Sequence, residues 1–412
     1  MKRPSILIIC FFTFAFSQLQ YSGYVYPSQM IGTANGKEIS LPFRLSELKL
    51  GYSTGDFDIK FNSSLEYRWS NSEYEAELRE LYMIWYPAFG EISIGKQVLA
   101  WGAVDGNNPT DNLNAYNYYY MFLTGTDRKV GSTSILVNYY LGDWKFSGVF
   151  INEHVSNKLP FNEPDFPLDI PAEPNQYLKV EDPVEYGLKV QTLMGESDVS
   201  LSWFKGHDRG FSIAGISPTN GLVAGFRETI MIGADFVTFI NNFTLRGEGA
   251  YFFTETAYQS PFDTKAEYGQ YALQAEYTTG NDITINGQLI GNYYGHLSGT
   301  TINPINGMVV PVSKDNFQMG MGMPFSTLTD SGLMITGSGD LYDNRLELKG
   351  ILFQNLDGTG TMLGGEAEYS PIENWIFHLS LNHFIGDNGD SENTFTMLED
   401  FSHIRFGLEY NF

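Results

Sequence analysis

Between Phe57 and Trp69 the chain alternates residue by residue. Phe57, Ile59, Phe61, Leu65, Tyr67 and Trp69 fall on one face, and Asp58, Lys60, Asn62, Ser64, Glu66 and Arg68 on the other. Period two is the signature of an extended strand with two unlike faces. The stretch is as long as one tilted membrane crossing plus a little. Composition decides which face meets what. Only 17% of the 412 residues are charged and 15% are aromatic. An ordinary soluble domain carries about 25% charge, so charge is too scarce here to coat a water-facing surface. After the first twenty residues no apolar run reaches the roughly 18 needed for a helical span. The remaining solution is a sheet that shows lipid on every second residue and water on those between.

The same alternation recurs along the chain. Ile404, Phe406, Leu408, Tyr410 and Phe412 oppose Arg405, Gly407, Glu409 and Asn411. Trp144, Phe146 and Phe150 oppose Lys145 and Ser147, and Phe243 and Leu245 oppose Thr244, Arg246 and Glu248. Trp375, Phe377, Leu379 and Leu381 oppose Asn374, His378, Ser380 and Asn382. Phe43 to Tyr52 is mixed, with Leu48 and Leu50 sharing a face with Arg44. Tight turns at 141–143, 195–196, 240–242, 279–282, 342–344 and 370–373 alternate with long segments at 102–129, 155–183, 207–227, 255–266, 295–316 and 386–402. Short turns on one side and long loops on the other predict an antiparallel up-and-down transmembrane β-barrel with its C-terminus on the short-turn side. Residues 317–341 are too long for one strand and would break parity as two, so they read as one irregular crossing with Pro324 at a break. Counting Gln20 to Tyr26 as the first strand gives about 18 strands, with about 16 as the alternative. The sheet must close, because lipid offers no partners to edge N–H and C=O groups.

Lys2 and Arg3 precede an apolar run from Ile6 to Phe16, and Ala15-Phe16-Ser17 reads as a cleavage site. Residues 1–17 are therefore expected to be a signal peptide, with the barrel over 18–412. Cys10, the only cysteine, lies in that segment without the small preceding residue a lipoprotein signal wants, so the mature chain is expected to have no thiol chemistry.

The most distinctive segment runs from Glu80 and Tyr82 through a hairpin to Gly95, Lys96, Gln97, Trp101, Gly102, Asp105, Gly106, Pro109 and Asp111. It resembles a family of porin-like Gram-negative outer-membrane proteins of poorly characterised function, whose pattern reads E-x-Y, hairpin, G-[RK]-Q-x-x-x-W-G-x-x-D-G-x-x-P-x-D. Members usually carry an arginine where this chain has Ser93, which removes one expected lumen cation. The terminal strand, with Tyr410 and Phe412, is similar to the signal by which outer-membrane barrels are recognised for assembly. The resemblance implies an outer-membrane channel in contact with lipid and lipopolysaccharide, inserted by the barrel-assembly machinery, and possible as a homo-oligomer.

Alternation places Gln97 and Trp101 towards the pore and Lys96 towards lipid, unless Gly95 marks a bulge that turns Lys96 inward. The tyrosine-rich loop after Trp101 is expected either to enter the lumen as a constriction, with Glu80, Tyr82, Gln97, Trp101, Asp105 and Asp111 around it, or to be a rigid loop whose carboxylates cap local N–H groups. Lumen faces combine Lys60, Arg68, Lys145, Arg246, Lys349 and Arg405 with Glu66, Glu80, Glu248, Glu347 and Glu409. Mixed charge suits small polar or hydroxylated solutes, and a net charge of −24 concentrated in outer loops suggests a mild cation preference. Asp387, Asp390 and Glu392 form an oxygen-rich loop that is a weak metal candidate without EF-hand spacing. The six histidines are scattered, and no nucleophile–base spacing or phosphate loop is present, so no enzyme, cofactor or nucleic-acid role is expected. The competing readings are a gated transporter of hydrophobic molecules, a polysaccharide exporter, and a structural or adhesive barrel with a closed lumen.

Overall fold

In a computed structural model, residues 19–412 are described except 124, 167–172, 218–220, 304–306, 388 and 391–392. The expected signal peptide and Glu392 lie outside the described residues, as does part of the proline-rich 155–183 loop.

One antiparallel sheet closes on itself through eighteen strands. The first, β1, has two halves, Leu19–Val25 and Ser28–Gly32, broken at Tyr26-Pro27. The wall continues through β2 (Phe43–Thr54), β3 (Phe57–Tyr67), β4 (Tyr74–Trp85), β5 (Gly90–Gln97), β6 (Ser132–Leu141) and β7 (Trp144–Ile151). Next come β8 (Glu185–Met194), β9 (Ser197–His207), β10 (Arg227–Ile240), β11 (Phe243–Ala257), β12 (Thr264–Thr278) and β13 (Thr284–Ile302). Five more finish it: β14 (Ser331–Leu341), β15 (Leu346–Asn355), β16 (Thr361–Ile372), β17 (Trp375–Ile385) and β18 (His403–Asn411). Closure is made by β1. Its first half pairs with β2, its second half with β18, and Tyr24 and Val25 also face Asn411 and Tyr410. The proline falls at the handover, where its missing N–H leaves no gap in a continuous ladder.

The outside of the wall is apolar. Leu201, Ile232, Leu379 and Phe406 point outward and are exposed, as expected of side chains meant for lipid. At the short-turn end, Phe57–Trp85, Phe243–Tyr277 and Trp375–Tyr410 pack as aromatic pairs with ring centroids 6.3, 5.0 and 4.9 Å apart. Such a girdle belongs at a membrane interface.

Two bulges explain where simple alternation is mixed. Between Arg44 and Ser46 the register with β3 slips by one, so Arg44 points inward and, after the slip, so do Glu47, Lys49 and Gly51. Leu48 and Leu50 therefore face lipid although they share parity with Arg44. A second bulge, opposite Asn62 and Ser63, sends both Arg79 and Glu80 inward. Lys96 stays outward, because the ladder through Gly95 is regular on both sides. It donates to the Leu78 carbonyl at 2.6 Å, close to the outer end of β5. Gly95 serves the backbone instead: at φ +137° it lies so close to β4 that a Cβ would sit 2.3 Å from the Leu81 carbonyl oxygen.

Residues 317–330 correct the expectation of one irregular crossing. The strand is Ser331–Leu341 alone, and the preceding segment is a loop whose Pro324–Thr327 forms a 3-10 turn inside the barrel. Its Phe317, Met321, Met323, Phe325 and Leu328 are buried because they pack in the lumen, not because they span the membrane.

The wall assignment predicts unequal tolerance of charge on its two faces. Phe406→Asp should sharply reduce the heat-modifiable folded band on a gel-mobility assay. Ser380→Asp, on the inner face opposite Arg405, should leave that band near wild type. Equal folding of both would contradict the assignment.

Candidate functional site: a loop strapped across the lumen

The segment 98–131 leaves β5, crosses the barrel interior and returns to β6. Its near end is held by the β2–β4 side of the wall. Arg44 and Arg79 both donate to the Asp127 carbonyl at 3.2 Å, and Arg79 donates to the Thr126 carbonyl at 3.3 Å. The same guanidiniums answer wall carboxylates, Arg44 with Glu66 at 3.2 Å and Arg79 with Glu47 at 2.7 Å. Each buried cation is thus paired and hydrogen-bonded, as burial demands.

The far end docks on β11–β13. Glu248, buried on β11, accepts from the Ala103 and Thr110 N–H groups at 2.8 Å each, from the Thr110 hydroxyl at 2.7 Å and from Asn108 at 3.2 Å. Gly102 is needed for this approach. At φ +103°, a Cβ there would lie 2.6 Å from a Glu248 oxygen. Asp105 accepts from Arg246 at 2.9 Å and from Gln274 at 2.6 Å, and Asn107 donates to Gln288 at 2.9 Å. Phe122, further along the loop, reaches Phe384 of β17 and Phe401 of the last loop, with centroids 5.7 and 6.2 Å away. The strap therefore touches walls on several sides of the barrel.

The other motif residues divide by role. Gln97 is buried beneath the loop, accepting from Ser93 at 2.7 Å and donating to the Ser134 hydroxyl at 3.0 Å. Ser93 thus completes a wall network where a cation was expected. Glu80 accepts the Val98 N–H at 2.9 Å, Tyr82 is half-buried on the inner face, and Trp101 lies over Gly187 of β8. Asp111 departs from the pore-edge expectation. It is buried, pairs with Lys129 and accepts the Trp101 N–H at 3.1 Å, which makes it an internal clamp of the loop. Burial pulls the Lys129 ammonium below the usual lysine range, and Asp111 opposes that pull.

Among the lumen charges, Lys60 lies near Asp58 at 3.8 Å and Glu409 near His378 at 3.4 Å. Glu66 faces inward but is covered, bonded to Arg44 and to the Tyr120 hydroxyl. Arg68 holds Glu163 of the loop after β7 at 2.5 Å, and its guanidinium keeps that carboxyl below the usual range. Arg246 also approaches Glu276 at 3.7 Å, and Arg405 contacts Met30. Sequence parity had no means of finding Arg79, Arg209, Arg227 or Lys129. The partner of each is distant along the chain or hidden by a bulge.

Of the oxygen-rich loop, Glu392 lies outside the described residues, and Asp387 and Asp390 join no group of three metal-ligand donors among the described ones. Asp387 accepts the Gly389 N–H at 3.0 Å and a hydroxyl from Thr359, so it shapes its own loop beside the helix α1 (Thr394–Glu399). His154, Glu185 and His207 bring one donor atom each within 4.8 Å. Arg209, however, already holds both oxygens of Glu185, at 3.0 and 2.6 Å, and so fills a cation's place. Glu366, Glu368 and His378 form a similar group on the inner wall, with Lys349 3.6 Å from Glu368.

No family model matches the chain, and no curated protein matches it by sequence. Its fold is similar to that of solved outer-membrane barrels. The outer membrane protein opdK from Pseudomonas aeruginosa matches with a TM-score of 0.54 at 11% identity, over 96% of this chain and 99% of that one. Acinetobacter baumannii OccAB1 gives 0.53 at 9% over 95% of each chain, and Pseudomonas aeruginosa OccK5 (OpdH) gives 0.52 at 11% over 96% and 98%. With the apolar belt and the alternation of turns and loops, this defines the class of fold: a closed antiparallel β-barrel of eighteen strands, similar to those of solved outer-membrane barrels.

The clamp inside the strap is testable by stability. Asp111→Asn leaves Lys129 buried without its counter-ion and should cost about 3–5 kcal/mol, read as a lower urea midpoint of the refolded barrel. Combining it with Lys129→Met should recover most of that loss.

Proposed function

We propose that the barrel is a porin-like channel for passive diffusion of small polar or hydroxylated solutes, with a mild preference for cations. The strap carries this reading. Loop 98–131 narrows the lumen and presents Asp105, whose carboxylate is 59% exposed, beside Arg246 and Gln274. From mid-height to the short-turn end the inner wall carries paired charges: Lys189 with Asp235, Lys49 with Glu47, and Lys349 with Glu347. Charges of both signs that already answer one another hold water without binding one class of ion strongly. Hydroxyl-bearing solutes can exchange hydrogen bonds with such a wall at little net change. The excess of 48 acidic over 24 basic residues steers cations towards the mouth. Tyr410 and Phe412 supply the assembly signal in this proposal.

A second reading draws on a different observation. The outer half of the lumen is packed with apolar side chains from several loops, including Val104, Met121, Met323, Phe325, Phe395 and Phe401. This favours a gated passage, in which the loops part before a solute moves.

Asp105→Asn should shift reversal potential across a salt gradient towards anions, most clearly at low salt, where the Debye length is about 30 Å at 0.01 M. The urea midpoint should stay near wild type. Deleting residues 107–118 should raise single-channel conductance. Unchanged selectivity in Asp105→Asn would remove Asp105 from the passage.

A further inference from the structure

Four outer loops meet at one arginine. Arg209, in the loop after β9, donates to the Asn112 carbonyl at 3.0 Å and the Leu113 carbonyl at 3.3 Å, both in the strap. It donates to the Val155 carbonyl of the loop after β7 at 3.3 Å, and its backbone N–H reaches the Gly320 carbonyl of the loop after β13 at 2.9 Å. Its ion-pair partner, Glu185, has a fully buried side chain at the start of β8.

Two histidines stand against that pair. His154 Nδ1 is 3.1 Å from Glu185 Oε1, and His207 Nδ1 is 3.9 Å from the same oxygen. Their side chains are 6% and 7% exposed, and their rings are 5.6 Å apart. His154 Nε2 and His207 Nδ1 are buried without a hydrogen-bond partner among the described residues.

We propose that His154, His207, Glu185 and Arg209 form a proton-operated latch, which releases the outer loops from the strap when the external medium becomes mildly acidic. This rests on the channel reading for its consequence, but not for its mechanism.

With both imidazoles neutral, one carboxylate faces one guanidinium and the cluster is balanced. Protonating both would set three cations around Glu185. Among the described residues, Asp208 is the one further anion whose charge reaches both imidazoles. Asp208, from Arg209's own loop, is committed to Arg227 of β10 at 2.8 Å and to the Thr229 hydroxyl at 2.6 Å. The strap contributes carbonyls to Arg209, and Phe226 lies 4.6 Å from the His154 ring. Once the loops part, the imidazoles are hydrated and can charge freely.

The direction follows from burial. Desolvation holds His154 below the ordinary histidine range, and Arg209 pushes the same way, while the bond to Glu185 opposes them. The docked state then binds fewer protons than the released state. Docking is fully favoured above about pH 6.5 and weakens as pH falls below it, by up to about tenfold per group per pH unit.

The test compares wild type with H154Q/H207Q between pH 7.5 and 5.0. Hydrogen–deuterium exchange in residues 152–166 and 208–217, corrected for the intrinsic pH dependence of exchange, reports loop release. Planar-bilayer conductance reports its consequence. We expect wild-type exchange to accelerate at least tenfold on acidification, and the double variant to stay flat. Conductance that rises with exchange supports both the latch and the channel. Accelerated exchange with no conductance at any pH supports the latch and counts against the channel. Wild-type exchange that ignores pH, or an equal rise in the double variant, overturns the latch. Should the double variant fail to refold, H154Q alone must show a shallower pH dependence than wild type, and an unchanged slope overturns the proposal.

Discussion

Every other feature of this molecule depends on closing the sheet. A strand in hydrocarbon cannot leave its N–H and C=O groups unpaired, so the first and last strands must meet. They meet here through a β1 that is shared: Leu19–Val25 serves β2, and Ser28–Gly32 serves β18. Closure then separates the chain into an apolar outside and an enclosed inside of limited width. All the polar chemistry, and all the long loops on one side, compete for that inside.

The interior is organised as a protein core instead of an open tube. Buried cations hold the loops by backbone carbonyls and by wall carboxylates at once, as Arg44 and Arg79 do with Asp127, Glu66 and Glu47. Glu248 does the converse, gathering N–H groups of the strap without a cation. Each arrangement couples the wall to a loop, so the position of the loop is set by strands far from it in sequence. The free width of the lumen is therefore a property of these contacts more than of the strand number. The apolar packing around Phe122 adds a second constraint on the same space.

Much of the wall is legible in the order of residues alone. Strands such as Phe57–Tyr67 and His403–Asn411 carry their two environments in their alternation, because period two converts directly into two faces. The strand number agrees as well, although residues 317–341 divide into a loop and a strand where one crossing was expected. An apolar loop inside a barrel and an apolar strand in its wall have similar composition, and only the space they occupy tells them apart. The motif at Gly95–Asp111 is visible, but its parts are not equivalent. Asp105 reaches the opposite wall, whereas Asp111 is buried against Lys129. Nothing in the spacing of two aspartates says which one a lysine eighteen residues later will claim.

By itself, the sequence determined a lipid-facing sheet, its approximate strand number, the side on which long loops gather and the distinctive segment from Gly95 to Asp111. These follow from local patterning, since alternation, turn residues and charge are properties of neighbouring residues. Tertiary structure alone decided where bulges reverse the faces, as at Arg44 and Arg79, and which buried charges answer one another across the lumen. Those outcomes depend on contacts between residues far apart in the chain, such as Asp105 with Arg246 and Glu185 with Arg209. Such pairs exist only after closure has brought opposite walls within reach of the same loop.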